Sequence, residues 1–296
     1  MAWSLLKKFS LGVSAVILVL WATAVGWSET NTGVVATIGM VGVQPNTETP
    51  TPEPAMIIPQ LRIRINIPAT KLEVYKDNVL AKTFPISVGM LAHKSPVMHN
   101  QLTQLIWNPS WIPPPDSDWA IGLKTEPPGP RNPLGPVKMP LEQGIRIHGT
   151  TKDSSIGRAA SHGCFRMHNK DASALAWFIQ QNDSDKTDDS YRESYAKNRH
   201  RTHVVNLLQP VEVDIVYEPV EVANKTLYIH PDIYGWAGKR RDLVLTAVSF
   251  YGITENDIQP EFWQRVKLGG KKGTQEFPLE ELITPPHNDT TQTASN

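Results

Sequence analysis

The segment from residue 60 to 90, QLRIRINIPATKLEVYKDNVLAKTFPISVGM, alternates apolar and polar side chains with a period of two. This period places apolar side chains on one face of an extended chain, beginning with Leu61, Ile63, Ile65 and Ile67. The sequence KDN at 76–78 predicts a turn, and VLAKTFPISVG after it predicts the next strand. We therefore expect an antiparallel hairpin here and a β-rich domain around it.

Prolines are concentrated between residues 105 and 140, in IWNPSWIPPPDSDWA and EPPGPRNPLGPVKMP. Because proline disrupts helix interiors and central strands, this segment predicts loops with a restricted backbone. Three tryptophans lie among the prolines, namely Trp107, Trp111 and Trp119. They either pin the loops to the core or form the wall of a substrate groove. On the second interpretation, Trp107 and Trp111 are candidate substrate-binding residues.

The rest of the chain alternates between strand and helix patterns. GIRIHGT predicts a strand ending at Gly149, and NKDASALAWFIQQ at 169–181 has apolar residues at helical spacing. Residues 182–201 are polar and highly charged, and they predict an exposed insertion that is either a lid or a solvated loop without function. Strand patterns return up to residue 230, and two further helical patterns lie within 231–287.

The N-terminus has the features of an export segment. Lys7 and Lys8 precede an apolar run that ends near Trp27, which is typical of a secretory signal peptide. The run is also close to the ~20 residues that span a bilayer. We interpret residues 1–27 as a signal peptide or an inner-membrane anchor, with a buried core helix as the alternative. Export would place the rest of the chain in the periplasm or cell envelope, and residues 28–59, rich in Pro, Thr and Glu, predict a disordered linker.

Charge and cysteine content exclude several classes of function. The chain has 29 basic and 29 acidic residues, so it has no bulk positive charge for nucleic-acid binding. Its single cysteine excludes an intrachain disulfide and a multi-thiolate zinc site. We expect a folded domain at 60–220, a small α-rich extension at 221–287 and a disordered tail at 288–296.

The single cysteine, Cys164, lies in the sequence SHGCFRM. It is an inert buried thiol, a partner in an intermolecular bridge, or a nucleophile. A nucleophilic thiol reacts as its thiolate and needs a base such as an imidazole. His162 is two residues away, and His148 can face the thiol if its strand runs alongside the Cys164 segment. The backbone N–H groups of Gly163 and Cys164 are candidate donors to an oxyanion.

At these residues the chain resembles the L,D-transpeptidase catalytic domain family. The resemblance is carried by HGT at 148–150, by SHGCFRM at 161–167 and by GPRNPLG upstream of both. It covers about residues 60 to 230. It implies a mainly β fold, sandwich-like or barrel-like, with a few helices.

The resemblance also implies catalytic roles. Cys164 would be the nucleophile and His148 the base, with the imidazole oriented by the carbonyl of Gly149. His162 would support the site or its oxyanion hole; alternatively, it would help to activate the thiol directly. His148 is preferred as the base because some family members have serine at the position of His162.

Supporting roles follow from the same resemblance. Ser161 and Gly163 would shape the turn that carries the cysteine. Arg166 would either bind a substrate carboxylate or brace the loop. Arg131 and Asn132, within GPRNPLG, are further candidate substrate-binding residues.

Members of this family act on peptidoglycan, so the resemblance implies acyl transfer through a thioester. The cysteine would attack the amide between the third residue of a stem tetrapeptide, a diamino acid, and its terminal D-alanine. An amine of another stem peptide, or of a wall-attached protein, would then accept the acyl group. This chemistry implies neither a cofactor nor a metal.

Three alternatives remain at this point. Water as the acceptor would make the protein a carboxypeptidase, an endopeptidase or an amidase. A non-catalytic cell-wall-binding module would keep Cys164 as a structural residue. Zinc hydrolysis through His148, His162 and His168 has the right residue type but no identifiable carboxylate partner.

Overall fold

The computed structural model describes residues 60–115, 117–266 and 273–283. The predicted signal peptide or anchor, the linker at 28–59 and the tail at 288–296 lie outside these residues. Within the described part, no helix combines the length and the apolar character that crossing a bilayer requires.

Strands dominate the described residues. They are β1 Leu61–Asn66, β2 Lys71–Lys76, β3 Val79–Pro85, β4 Val88–Gly89, β5 Met98–Trp107, β6 Val137–Pro140, β7 Arg146–His148, β8 Ala159–Ser161, β9 Phe165–Arg166, β10 His203–Val216, β11 Val220–Ala223, β12 Thr226–Ile229 and β13 Gln275–Pro278. The α-helices are α1 Asn169–Asn182, α2 Asp189–Lys197, α3 Arg240–Ser249, α4 Pro260–Arg265 and α5 Leu279–Ile283. The prediction of a mainly β fold with a few helices is confirmed.

The main sheet has eight strands in the order β3-β2-β1-β10-β5-β6-β7-β9. β1 pairs antiparallel with β2 and parallel with β10, and β7 pairs parallel with β9. β4 and β8 form a separate parallel pair. This order places β7, which ends at His148, directly beside β9, which begins one residue after Cys164.

The period-two pattern of β1 is confirmed by burial. Ile63 and Ile65 are 0% exposed, and they pack in a core with apolar residues of β2, β5, β10 and α1. α1 forms where the helical pattern at 169–181 predicts a helix, and Leu175 and Ile179 bury its apolar face against the same core. Burial of one such side chain contributes about 1.5–3 kcal/mol to folding.

The charged segment at 182–201 contains a helix, α2, that the sequence analysis does not predict. The side chain of Asp188 caps its N-terminus by accepting a hydrogen bond from the backbone N–H of Ser190 at 2.8 Å. Tyr195 of α2 is buried, and its ring stacks on Trp107 at a centroid distance of 5.1 Å. One buried residue, Tyr195, therefore anchors a mostly exposed helix to the main core.

The described residues of the C-terminal extension mix helices and strands. β11, β12 and β13 form a three-stranded antiparallel sheet. A second apolar core, which includes Leu227, Val244 and Phe262, lies between this sheet and the helices. α3 and α4 form where the two helical patterns lie, and β13 is a strand that the sequence patterns do not predict.

An ionic network joins the extension to the main sheet. Arg64 of β1 lies 2.5 Å from Glu218 and 3.1 Å from Glu221. Glu221 also lies 2.8 Å from Lys71 and 3.1 Å from His230. Burial alone would raise the pKa of Glu221, but hydrogen bonds from His230 and Lys71 hold it well below its usual range. These paired charges give the extension a specific attachment to β1 and β2.

Candidate active site

Strand register brings the candidate catalytic residues onto one face of the main sheet. In the parallel pair of β7 and β9, His148 lies opposite Arg166. Arg146 lies two residues before His148, and Cys164 lies two residues before Arg166. Because side chains two residues apart in a strand point to the same face, Arg146 and Cys164 lie on the face that carries His148 and Arg166. On the other side of β7, Lys138 of β6 lies opposite His148.

The sulfur of Cys164 lies beside a guanidinium group. The Cys164 side chain is partly exposed, and its Sγ lies 3.9 Å from Nη1 of Arg146. Sγ also lies 3.9 Å from the carbonyl oxygen of Gly144. A positive charge next to a thiol favours the thiolate form that acts as a nucleophile. The sequence analysis missed Arg146, although its place two residues before His148 in a predicted strand would have put it on the same face.

His148 is held in one orientation and one tautomer. Its side chain is buried, and Nδ1 donates a hydrogen bond to the carbonyl oxygen of Gly149 at 2.5 Å. Because a carbonyl oxygen only accepts, the proton of a neutral ring lies on Nδ1, and Nε2 is left as an acceptor. No hydrogen bond links His148 to Cys164 in the described part of the chain, although strand register places both residues on the same face of the sheet.

The imidazole of His148 is uncharged at neutral pH. Its pKa is lowered to about 3, mainly by burial. The hydrogen bond to Gly149 opposes this shift, and the positive charges of Arg166, Arg146 and Lys138 lower the pKa further. A ring in this state is able to accept a proton at Nε2 but holds it only weakly.

The face around His148 carries three cationic side chains. Lys138, Arg146 and Arg166 form no ion pair with any carboxylate of the described residues. Burial and the charge of Arg146 lower the pKa of Lys138, as expected for a cation with a like-charged neighbour. Arg166 uses Nη1 to donate to the carbonyl oxygen of Ala160 at 3.1 Å, so it braces the loop between β8 and β9. The site therefore favours anionic groups.

The turn before Cys164 is held by Ser161. The hydroxyl of Ser161 accepts from the N–H of Gly163 at 3.1 Å and donates to the carbonyl of Cys164 at 2.5 Å. Gly163 has a φ of +106°, a conformation that side-chain-bearing residues rarely adopt. Of the two predicted oxyanion donors, the N–H of Gly163 is thus already engaged, while that of Cys164 pairs with no acceptor among the described residues.

His162 lies at the rim of the site and is held by aromatic contacts. Its ring stacks on Trp119 at a centroid distance of 4.2 Å and lies 4.9 Å from the ring of His93. Burial, then the charge of His93, lowers the pKa of His162. No hydrogen bond joins His162 to Cys164 in the described structure. Trp119 of the proline-rich segment therefore contacts the cysteine turn directly, through the ring of His162.

Trp107 and Asn132, two of the candidate substrate-binding residues, are buried. Trp107 is 4% exposed, and its Nε1 donates to Gln180 at 2.8 Å. Asn132 is 1% exposed, and its side-chain amide donates to three backbone carbonyls of the proline-rich loops. Trp107 and Tyr195 line a cavity of about 440 Å³ whose lining includes neither Cys164 nor His148. Trp107 and Asn132 are therefore interior residues that hold the proline-rich loops in place.

The other two candidates lie on the loop surface. Trp111 pairs with Glu126 through two backbone hydrogen bonds of 2.9 Å, and its side chain is partly exposed. Arg131 is exposed and forms no ion pair within the described residues. Within the described residues, neither one forms a hydrogen bond with Cys164. The histidines of the zinc hypothesis are not brought together either, since the described chain contains no cluster of three His, Cys, Asp or Glu side chains.

Comparison with protein families and with curated proteins finds related sequences. The model of the L,D-transpeptidase catalytic domain, YkuD, matches residues 60–222. A Bacillus licheniformis protein named as an L,D-transpeptidase, YkuD, is 35% identical over 119 residues, which is 40% of this chain and 59% of that protein. The Escherichia coli K12 protein named as an L,D-transpeptidase, YbiS, is 29% identical over 121 residues, which is 38% of this chain and 40% of that protein. The chain thus spans less than two thirds of the length of either relative.

Comparison with solved structures finds similar chains of low sequence identity. L,D-transpeptidase 3 from Mycobacterium tuberculosis aligns at 14% identity and a TM-score of 0.35, covering 53% of this chain and 61% of that one. An L,D-transpeptidase from Mycobacterium smegmatis aligns at 15% identity and a TM-score of 0.34, covering 53% of this chain and 59% of that one.

Proposed function

Because the chain belongs to the YkuD family of L,D-transpeptidase catalytic domains, we propose that it is an acyltransferase that moves a peptidoglycan stem peptide through a thioester on Cys164. One observation carries the proposal: the partly exposed sulfur lies 3.9 Å from Arg146, on the sheet face that also carries the buried His148. This arrangement supplies a nucleophile, a fixed positive charge and a proton acceptor within one short stretch of sheet.

The first half-reaction forms the thioester. Sγ of Cys164 attacks the carbonyl carbon of the amide between the diamino acid and the terminal D-alanine of a stem tetrapeptide. Nε2 of His148 takes the thiol proton and then delivers it to the departing nitrogen of D-alanine. The carbon–nitrogen bond breaks, a carbon–sulfur bond replaces it, and free D-alanine leaves.

The second half-reaction releases the acyl group. An amine of another stem peptide, or of a wall-attached protein, attacks the thioester carbonyl. His148 takes a proton from this amine and returns it to the sulfur, so the thiol is restored and a new amide is formed. The steps need no cofactor.

The charge around His148 shapes how it serves as the base. Since burial and neighbouring cations lower its pKa to about 3, a long-lived imidazolium is unfavourable, and the proton is held only between its removal and its delivery. A weakly held proton transfers readily to the leaving amine. Arg146, whose Nη1 lies 3.9 Å from Sγ, supplies the positive charge that stabilises a negative sulfur.

Further groups of the site fit the oxyanion and the terminal carboxylate of the substrate. The free N–H of Cys164 is a donor for the oxyanion of the tetrahedral intermediate, and His162 borders the same turn. Lys138 and Arg166 fit the terminal carboxylate of D-alanine, because charged hydrogen bonds to a carboxylate are strong and directional. In the same scheme, Gly163 shapes the turn that presents Cys164, and the carbonyl of Gly149 orients His148.

The proposed partners follow from this substrate. They are peptidoglycan stem peptides as donor and acceptor, with a wall-attached protein as the other possible acceptor and no nucleic acid. Such substrates lie in the cell envelope, which agrees with the basic and apolar N-terminal segment that predicts export and, if uncleaved, attachment to the inner membrane.

Incubation with defined tetrapeptide muropeptides, followed by product analysis, tests the proposal. Cross-linked dimers and free D-alanine are expected from the wild type, and neither from Cys164→Ala. Ser249→Ala, a change on a surface helix of the extension, is the matched control and should behave like the wild type. Free tripeptide without dimers would show that water is the acceptor, and an unchanged product pattern in Cys164→Ala would contradict the thioester mechanism.

A further inference from the structure

A tyrosine of the C-terminal extension reaches the loop behind the cysteine. Tyr234 is 4% exposed and belongs to the main core rather than to the core of the extension. Its hydroxyl donates to the carbonyl oxygen of Gly89 at 2.6 Å and accepts from the N–H of Ser95 at 3.0 Å. The two hydrogen bonds tie both ends of the 89–95 loop to one side chain.

Ser95 passes this constraint to the cysteine turn. It is 0% exposed, and its hydroxyl accepts from the N–H of Gly89 at 2.9 Å. The same hydroxyl donates to the carbonyl oxygen of Gly163 at 2.8 Å. A continuous set of hydrogen bonds therefore runs from Tyr234 through the loop to the peptide that joins Gly163 to Cys164.

The orientation of this peptide decides where the N–H of Cys164 points. A trans peptide is planar, so its C=O and N–H point in opposite directions. Gly163, with a φ of +106°, has no side chain to restrict its backbone. The hydrogen bond from Ser95 fixes the carbonyl, and the N–H of Cys164 is thereby aimed away from Ser95, without an acceptor in the described part of the protein.

Tyr234 is itself held firmly. The backbone N–H of Tyr234 donates to the hydroxyl of Tyr217 at 2.9 Å, and Tyr217 donates to Asp232 at 2.5 Å. The ammonium group of Lys94, within the loop, lies 5.7 Å from the centroid of the Tyr234 ring and 4.9 Å from that of Trp236. Tyr234 is thus held through its backbone, its ring and its hydroxyl.

We propose that Tyr234 is a positioning residue, through which the C-terminal extension orients the Gly163–Cys164 peptide so that its free N–H meets the reacting carbonyl. This inference rests on the proposed function, because an oxyanion must form for the orientation to matter. The extension then takes part in catalysis by orienting this peptide, although it contributes no atom that touches the substrate.

The test compares two reactions of the same sulfur. Acylation by a carbapenem passes through an oxyanion, whereas alkylation by iodoacetamide does not. Tyr234→Phe removes only the hydroxyl, and we expect it to slow acylation about tenfold while the alkylation rate stays within about twofold of the wild type; the loss of a complete oxyanion donor costs on the order of a hundredfold or more. Tyr228→Phe is the matched control, because the hydroxyl of this extension tyrosine bonds to none of the described groups, and both rates should be unchanged.

Ser95→Ala provides a second, independent variant. It should also slow acylation selectively, and the double variant Tyr234→Phe with Ser95→Ala should be no slower than Ser95→Ala alone, since both changes break one chain of contacts. Urea denaturation of each variant checks that the protein remains folded under the assay conditions.

The outcomes separate this inference from the proposed function. Equal slowing of acylation and alkylation, or no slowing of acylation in Tyr234→Phe, would overturn the positioning role while leaving the transpeptidase proposal intact. A wild-type protein that the carbapenem does not acylate would overturn the proposed function, and this inference with it.

Discussion

Arg146 and Cys164 face each other across β7 and the start of β9, with Nη1 of the arginine 3.9 Å from the sulfur. The pairing is a consequence of parallel register, which also puts His148 opposite Arg166. Cys164, the proposed nucleophile, therefore has a guanidinium group as its cross-strand neighbour, and His148, the proposed base, is its diagonal neighbour.

The first prediction concerns this cation. Arg146→Gln should slow alkylation of Cys164 by iodoacetamide at pH 7 about fivefold, equivalent to ~1 kcal/mol, because a partly exposed charge pair contributes no more than about that much. Arg146→Lys should retain part of the rate. Arg62→Gln, on β1, is the control for a lost surface arginine, and an equal loss of rate in that variant would argue against a local effect of Arg146.

The second prediction concerns stability and pH. The pKa of His148 is lowered to about 3 in the folded protein, whereas an unfolded histidine titrates near ~6.5. The unfolded state therefore binds a proton that the folded state does not, as the pH falls from about 6.5 towards 3. The contribution of His148 to the free energy of unfolding is therefore fully present above this window and is lost as the pH falls through it. The loss between pH 7 and pH 5 is about 2 kcal/mol.

Urea denaturation at pH 7 and pH 5 measures this contribution. His148→Gln should show a smaller fall in the free energy of unfolding between the two pH values than the wild type shows. Ile147→Val, a buried neighbour that loses one methyl group and no titrating group, should lower stability by about 1 kcal/mol equally at both. Parallel pH dependence in the wild type and His148→Gln would rule out a buried, uncharged His148.

The third prediction concerns the tight loop behind the cysteine. A Cβ on Gly89 would lie 2.2 Å from the carbonyl oxygen of His93 and 2.5 Å from the backbone nitrogen of Ser95. Because these are backbone atoms, Gly89→Ala must displace the loop, and we expect a loss of roughly 1–3 kcal/mol in stability together with slower acylation. Gly238→Ala, where no atom lies within 4 Å of the added Cβ, should change neither quantity by a measurable amount.

The fourth prediction concerns the attachment of the extension. Arg64→Met should destabilise the protein by roughly 1–3 kcal/mol, because it removes the cation shared by Glu218 and Glu221, while Lys71 and His230 still lie beside Glu221. Hydrogen exchange should increase in β11 and β12. Arg241→Met removes an exposed pair with Glu255 and should cost less than about 1 kcal/mol. An equal loss in the free energy of unfolding from the two substitutions would show that the ionic network around Arg64 does not stabilise the attachment of the extension.

Local patterns were sufficient for much of the scaffold. The alternation in β1 and the helical spacing of α1 are properties of a few consecutive residues, and burial follows them directly. The helix α2 was not predicted, because its one buried residue, Tyr195, leaves no apolar stripe in a charged segment. The strand β13 was missed for a related reason: its pairing partner lies about fifty residues away, in β12.

The sequence by itself determined the family motifs, the single thiol with its two nearby histidines, and the first strands, since each depends on chemistry or periodicity within a short stretch. Only the tertiary structure decided which groups surround the sulfur. Arg146 reaches Cys164 through the pairing of two strands, and Tyr234 reaches Gly89 across 145 positions of the chain. Such contacts arise from the packing of whole elements, and no local pattern of residues encodes them.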